Sequence, residues 1–357
     1  MTQDADKINP IKILFSVAAI ISVVIGIAGC APRNHPVVSK AFYYWRTTFN
    51  PSAEELEYIR RLNVRKLYVR FFDIDWDYSV NQPVPIGRIE AAGNNLPGCE
   101  IVPTVFITNR TLANIPRGSI AELASHITRM VDDVAGAQFH STRISEIQLD
   151  CDWTDKTRET YFELIRQIRS RVNDRLIRLS ATIRLHQVKY REITGVPPVD
   201  DAVLMFYNMG KIDDEKTANS ILDLDAARGY IGTLDTYPLH LDIALPLYSW
   251  GVVARRGKVV HLLNNVSETD FSDSTRFICR ERSVEVVKST YFNYVYLYQG
   301  DRIRLEKISM NNLDKAVDML KPHIHSSTLS VIFFHLDYST LKPYTYENLQ
   351  TLCADFR

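Results

Sequence analysis

Asp150 and Asp152 stand two residues apart at the end of an apolar run, Glu146-Ile-Gln-Leu-Asp-Cys-Asp-Trp-Thr154. As a strand, this run places Gln148, Asp150, Asp152 and Thr154 on one face and Ile147, Leu149, Cys151 and Trp153 on the other. Two carboxylates on an inward face resist desolvation and repel each other, so each alters the other's hold on its proton. The pair suits acid–base work or the orientation of a reacting group. The next strand-like run, 178–186, carries Ser180, Thr182, Arg184 and His186 on one face. Arg184 and His186 either bind substrate or oxyanion there, or Arg184 neutralises Asp150 or Asp152 as a buried ion pair.

The elements that must hold these residues follow from hydrophobic periodicity. Strand-like runs recur at 41–45, 66–72, 100–107, 146–152, 178–186, 202–208, 242–248 and 329–337. Helical patterns separate them. Ser52-Ala-Glu-Glu55 is a capping box opening a helix through Arg61. Apolar stripes of helical spacing continue through Ile120, Leu123, Ile127, Val131 and Val134, and through Tyr161, Leu164, Ile165, Ile168 and Val172. Eight alternations predict an α/β fold, a closed (β/α)8 TIM barrel. A doubly wound open sheet would want a GxGxxG turn after its first strand, and none follows 41–45. Polar residues also gather at the predicted strand C-termini, where such barrels place their sites: Arg70, Asp73, Asp75, Asp150, Asp152, Arg184, His186, Asn208 and Asp337. The stretch between the seventh and eighth strands is too long for one helix, so 251–311 reads as a small α+β insertion on the barrel's top face. Extra strands are expected within it at 258–263, 294–298 and 302–308, with hairpin chemistry at Gln299-Gly-Asp301.

The chain of 357 residues carries 42 Lys and Arg against 42 Asp and Glu, which argues against a nucleic-acid partner. Its 18 Tyr, 15 Phe and 4 Trp suit a carbohydrate surface as well as an ordinary core. Cys99, Cys151, Cys279 and Cys353 form no CxxC and no metal-ligand spacing with His, and Asp-x-Asp on one strand is no cage, so neither metal nor cofactor is expected. Lys7 and Lys12 precede an apolar run that ends in Ile27-Ala-Gly-Cys30. This resembles a bacterial lipoprotein signal, which implies a signal peptide over 1–29, lipidation of Cys30 and a tether over 30–40 before a barrel at 41–357. The membrane is then a partner through the N-terminal lipid, in the bacterial cell envelope. Ala31, not Asp, after the cysteine points to the outer membrane. An uncleaved signal anchor is the alternative.

Four short motifs fall in order on the predicted strands. Ile147-Gln-Leu-Asp150-Cys-Asp152-Trp-Thr154 is followed by Met205-Phe-Tyr207-Asn208, Leu245-Pro-Leu-Tyr248 and Phe334-His-Leu-Asp337. Together they resemble the chitinase-like barrels of glycoside hydrolase family 18, whose fourth strand carries DxxDxDxE. The resemblance implies an N-acetylated glycan, chitin- or peptidoglycan-like, as substrate or ligand, with the substrate's own acetamide as nucleophile. It implies that Asp152 orients that acetamide, Asp150 supports Asp152 and Tyr207 hydrogen-bonds the acetamide. Asn208 and Tyr248 would line the sugar subsite; apart from the resemblance, their place at strand ends makes Arg70, Asp73, Arg184, His186 and Asp337 further binding candidates. The pattern departs at its reactive end: Thr154 replaces the proton-donating Glu, Ile147 the first Asp and Phe334 the Trp that floors the sugar site. A substitute acid would come from Asp73, Asp75, Asp155 or Asp337. The competing expectations are a glycosidase, a catalytically silent glycan-binding barrel and an envelope-assembly factor.

Overall fold

The computed structural model describes residues 35–92, 98–139, 144–214 and 217–357; the expected signal segment and Cys30 lie outside them. Eight parallel strands close on themselves: β1 (Val37–Tyr44), β2 (Lys66–Asp77), β3 (Glu100–Ile107), β4 (Glu146–Asp150), β5 (Arg178–Arg184), β6 (Asp201–Met205), β7 (His240–Pro246) and β8 (Thr328–Phe334). Closure is made by β1, which pairs with β8 on one side and with β2 on the other. The chain is an α/β (β/α)8 barrel, as its eight alternations predict.

Helices cover the outside. α1 (Ala53–Arg61) begins at the predicted capping box: Ser52 Oγ accepts from the Glu55 backbone at 3.2 Å, and Glu55 accepts from the Ser52 backbone at 2.9 Å. α2 (Ile120–Phe139) buries Leu123, Ile127, Val131 and Val134, and α3 (Arg158–Val172) buries Tyr161, Leu164, Ile165, Ile168 and Val172. Ile147 and Leu149 of β4, with Cys151 and Trp153 just beyond it, are buried on the helix-facing side.

The inward face of β4 builds the barrel interior in layers. Glu146 takes Lys66 Nζ at 2.7 Å and Ser180 Oγ at 2.6 Å. Gln148, fully buried, accepts from the Tyr43 hydroxyl at 2.9 Å. Asp150 accepts from the Thr182 hydroxyl at 2.5 Å.

Several ladders stop short of their predicted ends. β4 ends at Asp150, not 152; β5 at Arg184, not 186; β6 at Met205; β7 at Pro246; β8 at Phe334. In the opposite sense, β2 runs past its predicted end to Asp77 and pairs antiparallel with Gln82–Ile86, a hairpin that continues beyond the β3 ladder.

The insertion is β structure with a single 3-10 turn (Glu268–Phe271), which replaces the expected α+β mixture. Its five-stranded sheet runs in the order Lys258–Asn264, Trp250–Arg255, Arg302–Glu306, Ser283–Val286, Phe277–Arg280, and a separate ribbon pairs Thr290–Phe292 with Val295–Leu297. Gln299-Gly300-Asp301 forms a tight turn with Gly300 at φ +86, but it joins the ribbon to the sheet and does not close a hairpin. The insertion has its own core of Val253, Leu263, Phe271, Phe277, Val284 and Ile303 among others. It is tied to the β6–β7 connection through Glu306, which accepts from the Ser220 backbone and hydroxyl and from Trp250 Nε1, each at 2.7 Å.

Candidate functional site

A cavity of about 370 Å³ opens at the C-terminal end of the barrel. Polar side chains from β2, β4 and β5 enter it: Arg70 and Asp73, Asp150 and the following Asp152, and Thr182 and Arg184. Its aromatic wall is made by Tyr43, Trp45, Phe106, Tyr207 and Phe334, with Met205 and Asn208 completing the rim. Phe334 holds this wall together. Its ring centroid lies 5.7 Å from Tyr43, 5.8 Å from Trp45 and 5.5 Å from Tyr207.

Both outer carboxylates of the cavity are clamped. Asp152 receives Nε and Nη2 of Arg184, the second at 2.8 Å, a forked pair that fixes both carboxylate oxygens. Asp73 is held in the same fashion by Arg70, whose Nε lies 2.6 Å from Oδ1. Gly87 leaves room for that clamp: it sits at φ +59, and a Cβ there would fall 2.9 Å from Arg70 Nη2. Among the described residues Asp150 has no cation of its own and accepts only from the Thr182 hydroxyl. Burial pushes its carboxyl up to about 6, helped by the charge of Asp152 and opposed by Thr182 and Arg184. Burial likewise raises the Tyr207 phenol well above its ordinary value, so it is a neutral hydrogen-bonding group at physiological pH.

The segment after β4 is a stitched turn. Thr157 immediately precedes α3; its hydroxyl receives the Thr154 backbone N–H at 2.9 Å and donates to Asn109 Oδ1 at 2.7 Å. Asn109 Nδ2 in turn donates to the Asp152 carbonyl. Thr154 places its hydroxyl 3.3 Å from that of Thr157 and does not line the cavity. Trp153 is a packing residue: it stacks on Tyr161 and donates to the Thr194 carbonyl at 2.8 Å.

The predicted candidates separate into two groups. Arg70, Asp73, Asp150, Asp152, Arg184, Tyr207 and Asn208 converge on the cavity. Tyr248 stands behind it, donating to Asn208 Oδ1 at 2.5 Å and packing edge-on against Tyr207 and Phe334. Two placements are corrected. His186 does not share a strand face with Arg184, because the chain turns at Leu185 into a short helix (Leu185–Lys189) and His186 is exposed. Asp337 caps the helical turn Tyr338–Leu341, accepting from the Ser339 backbone at 2.8 Å, and does not line the cavity. Asp75, a reserve acid by sequence, is bound to Arg110 and Thr108 outside the cavity.

Sequence reasoning passed over Tyr43, Phe106 and Asn109. Tyr43 and Phe106 lie inside apolar runs where nothing marks an inward-facing ring, and Asn109 becomes visible only through its hydrogen bonds across to the β4 turn. Cys99, Cys151, Cys279 and Cys353 are all free thiols. Among the described residues no three His, Cys, Asp or Glu side chains are arranged to hold a metal ion.

A scan against protein-family models finds no match, and a search among curated proteins finds no relative. Solved structures do resemble the barrel. The spore cortex-lytic enzyme SleL of Bacillus megaterium QM B1551 is 12% identical with a TM-score of 0.52, over 89% of this chain and 73% of that one. A chitinase of Chromobacterium violaceum ATCC 12472 is 9% identical, also at 0.52, over 89% of this chain and 98% of that one. A Group IV chitinase of Ostrinia furnacalis is 10% identical at 0.50, over 88% and 99%. At such identities the likeness is one of fold, and the chain is accordingly a (β/α)8 barrel of the shape found in chitinases and a cortex-lytic enzyme.

Proposed function

We propose that this chain is a lipid-anchored protein of the bacterial cell envelope whose barrel mouth binds an N-acetylated, chitin- or peptidoglycan-like glycan without cleaving it. The observation that carries the second half is the pair of arginine clamps. Glycoside hydrolysis needs a carboxyl that gives up a proton and a partner that stabilises the sugar cation or orients the attacking group. Here Asp73 and Asp152 each have both oxygens committed to a guanidinium, and the position of the motif's acid is a threonine outside the cavity. What remains suits binding: an aromatic wall for sugar faces, the Tyr207 phenol and Asn208 amide for an acetamide or hydroxyls, and fixed ion pairs as a polar rim. The fold likeness to chitinases and SleL supports a glycan as the ligand class. The lipid anchor at Cys30 and an outer-membrane location rest on the Ile27-Ala-Gly-Cys30 signal with Ala31 after it.

A hydrolase is the second reading, favoured by one observation: Asp150, pushed up to about 6, holds its proton to a higher pH than an ordinary carboxyl and is the remaining acid in the cavity. Calorimetry of the full-length protein with N-acetylated oligosaccharides and peptidoglycan fragments, with mass spectrometry of the same samples, separates the two. Binding with intact ligand supports the binding barrel. Shortened products that disappear with Asp152→Ala would establish the hydrolase.

A further inference from the structure

The insertion exposes a row of tyrosines that the barrel mouth does not use. Tyr291 is 74% exposed, Tyr296 38% and Tyr298 49%, and their rings meet edge to face at 4.8 and 4.9 Å. The ribbon's other side chains point the opposite way: Leu297 is buried in the insertion's own core, with Phe292 and Val295 packed against it. Tyr298 is pinned by the Arg255 guanidinium 4.1 Å above its ring, and Arg255 is itself fixed by Asp301 at 2.8 and 2.9 Å.

The turn at the ribbon's tip carries the stronger signal. Phe292 pairs with Val295, leaving Asn293 and Tyr294 as a two-residue hairpin loop, at φ +46 and +64. That turn asks for Asn followed by Gly, since both residues must be left-handed. A tyrosine in the second position is strained, and Tyr294 is fully exposed, so no packing within the chain compensates for it.

The ribbon is also connected to the mouth. Tyr248, which packs on Phe334 of the cavity, meets Trp250 at 5.6 Å, and Trp250 begins the strand that ends at Arg255, beneath Tyr298. Five residue steps of extended strand separate the two ends by about 17 Å. A single sugar is shorter than that strand, so an occupant that touches both places must be a chain of several sugars.

We propose that the Tyr291–Tyr296–Tyr298 ribbon with Tyr294 is a second carbohydrate-contact surface, holding a distal stretch of a polymeric glycan whose nearer segment occupies the barrel mouth. It rests on the glycan reading of the mouth and makes the ligand a polymer. The chemistry favours sugar over lipid. Every outward ring ends in a hydroxyl that pairs with sugar hydroxyls, the rings alternate in pitch and do not form a flat apolar patch, and the aliphatic residues that would enter a bilayer are turned inward.

The test compares the full-length protein with a variant combining Tyr291→Ser, Tyr296→Ser and Tyr298→Ser. Binding is measured to short N-acetylated oligosaccharides, to chitin and to peptidoglycan sacculi. The expected result is unchanged oligosaccharide affinity, which also shows that the variant folds, with polymer affinity reduced about a hundredfold, the low end of what a linked second contact contributes. Tyr294→Gly is expected to raise the melting temperature while weakening polymer binding. Equal polymer affinity for the native and triple-variant proteins overturns the proposal even if the mouth binds oligosaccharides. Polymer binding that needs the tyrosines, in a protein that binds no oligosaccharide, leaves the ribbon standing as a glycan surface and removes the reading of the mouth. Loss of binding to anionic vesicles, with polymer binding intact, would assign the ribbon to lipid and overturn it too.

Discussion

The two ends of the inward face of β4 carry the same kind of residue in opposite circumstances. At the lower end Glu146 is enclosed, with Lys66 and Ser180 on its two oxygens, and its polar chemistry is complete. At the upper end Asp150 is only half-buried, accepts from a hydroxyl without a paired cation among the described residues, and borders the cavity. The lower acid is part of the wall; the upper acid keeps an affinity for protons that a ligand can alter. A buried charge becomes available for function when its neighbours leave it incompletely compensated and a cavity gives it a ligand to meet. The same strand supplies a third case just past its end, where Asp152 borders the cavity yet is fully engaged by Arg184.

The largest expected effect comes from breaking the lower end. Glu146→Ala strands the Lys66 ammonium inside the barrel and is expected to lower folding stability by about 3 kcal/mol, read by chemical denaturation. Ligand affinity per folded molecule should not change. At the upper end the sign reverses. The folded Asp150 carboxyl holds its proton more tightly than the unfolded chain does, at about 6 against 3.8. Its contribution is therefore intact below about pH 4 and is lost as pH rises through 6. Asp150→Asn is expected to stabilise the protein by about 3 kcal/mol at pH 7 and by little below about pH 4, measured as melting temperature against pH.

A smaller effect sharpens the contrast with Asp152. Arg184→Gln removes a positive charge that lowers the Asp150 value, so the Asp150 titration should move upward by about one pH unit, near 1.4 kcal/mol, followed by carboxyl NMR. The smallest lies away from the barrel. Tyr294→Gly relieves a left-handed tyrosine and should add about 0.5–1 kcal/mol to stability, whereas Tyr291→Ser, on an extended strand of the same ribbon, should leave stability nearly unchanged.

Much of this molecule is legible in its sequence. The eight barrel strands and the helical stripes follow from periodicity, and the polar residues of β2, β4 and β5 converge where strand C-termini predict. The strand-end errors share one physical origin. Cys151, Trp153, Leu185, Phe206, Leu247 and Leu336 lie just beyond the ladders yet are buried under the loops, so apolar alternation outlasts the hydrogen bonding. Extending the strands along that alternation carried His186 and Asp337 into a cavity they do not line, since the chain had already turned into a helix at one and a cap at the other. The arginine clamps were half visible: Arg184 as a neutraliser was one of two expectations, but Arg70 with Asp73 depends on a glycine across the hairpin that spacing does not reveal. The insertion's β character was partly hidden because the strands passed over are short, as in Phe277–Arg280 and Thr290–Phe292.

The central claim, a mouth that binds an N-acetylated glycan and leaves it whole, is tested most directly in one NMR sample. An N-acetylated oligosaccharide is mixed with the full-length protein and its acetyl methyl and anomeric protons are followed over days. The account predicts methyl broadening that is lost with Tyr207→Ala, and an anomeric region that does not change. New reducing-end signals that vanish with Asp152→Ala, or a methyl resonance indifferent to the protein, would contradict it.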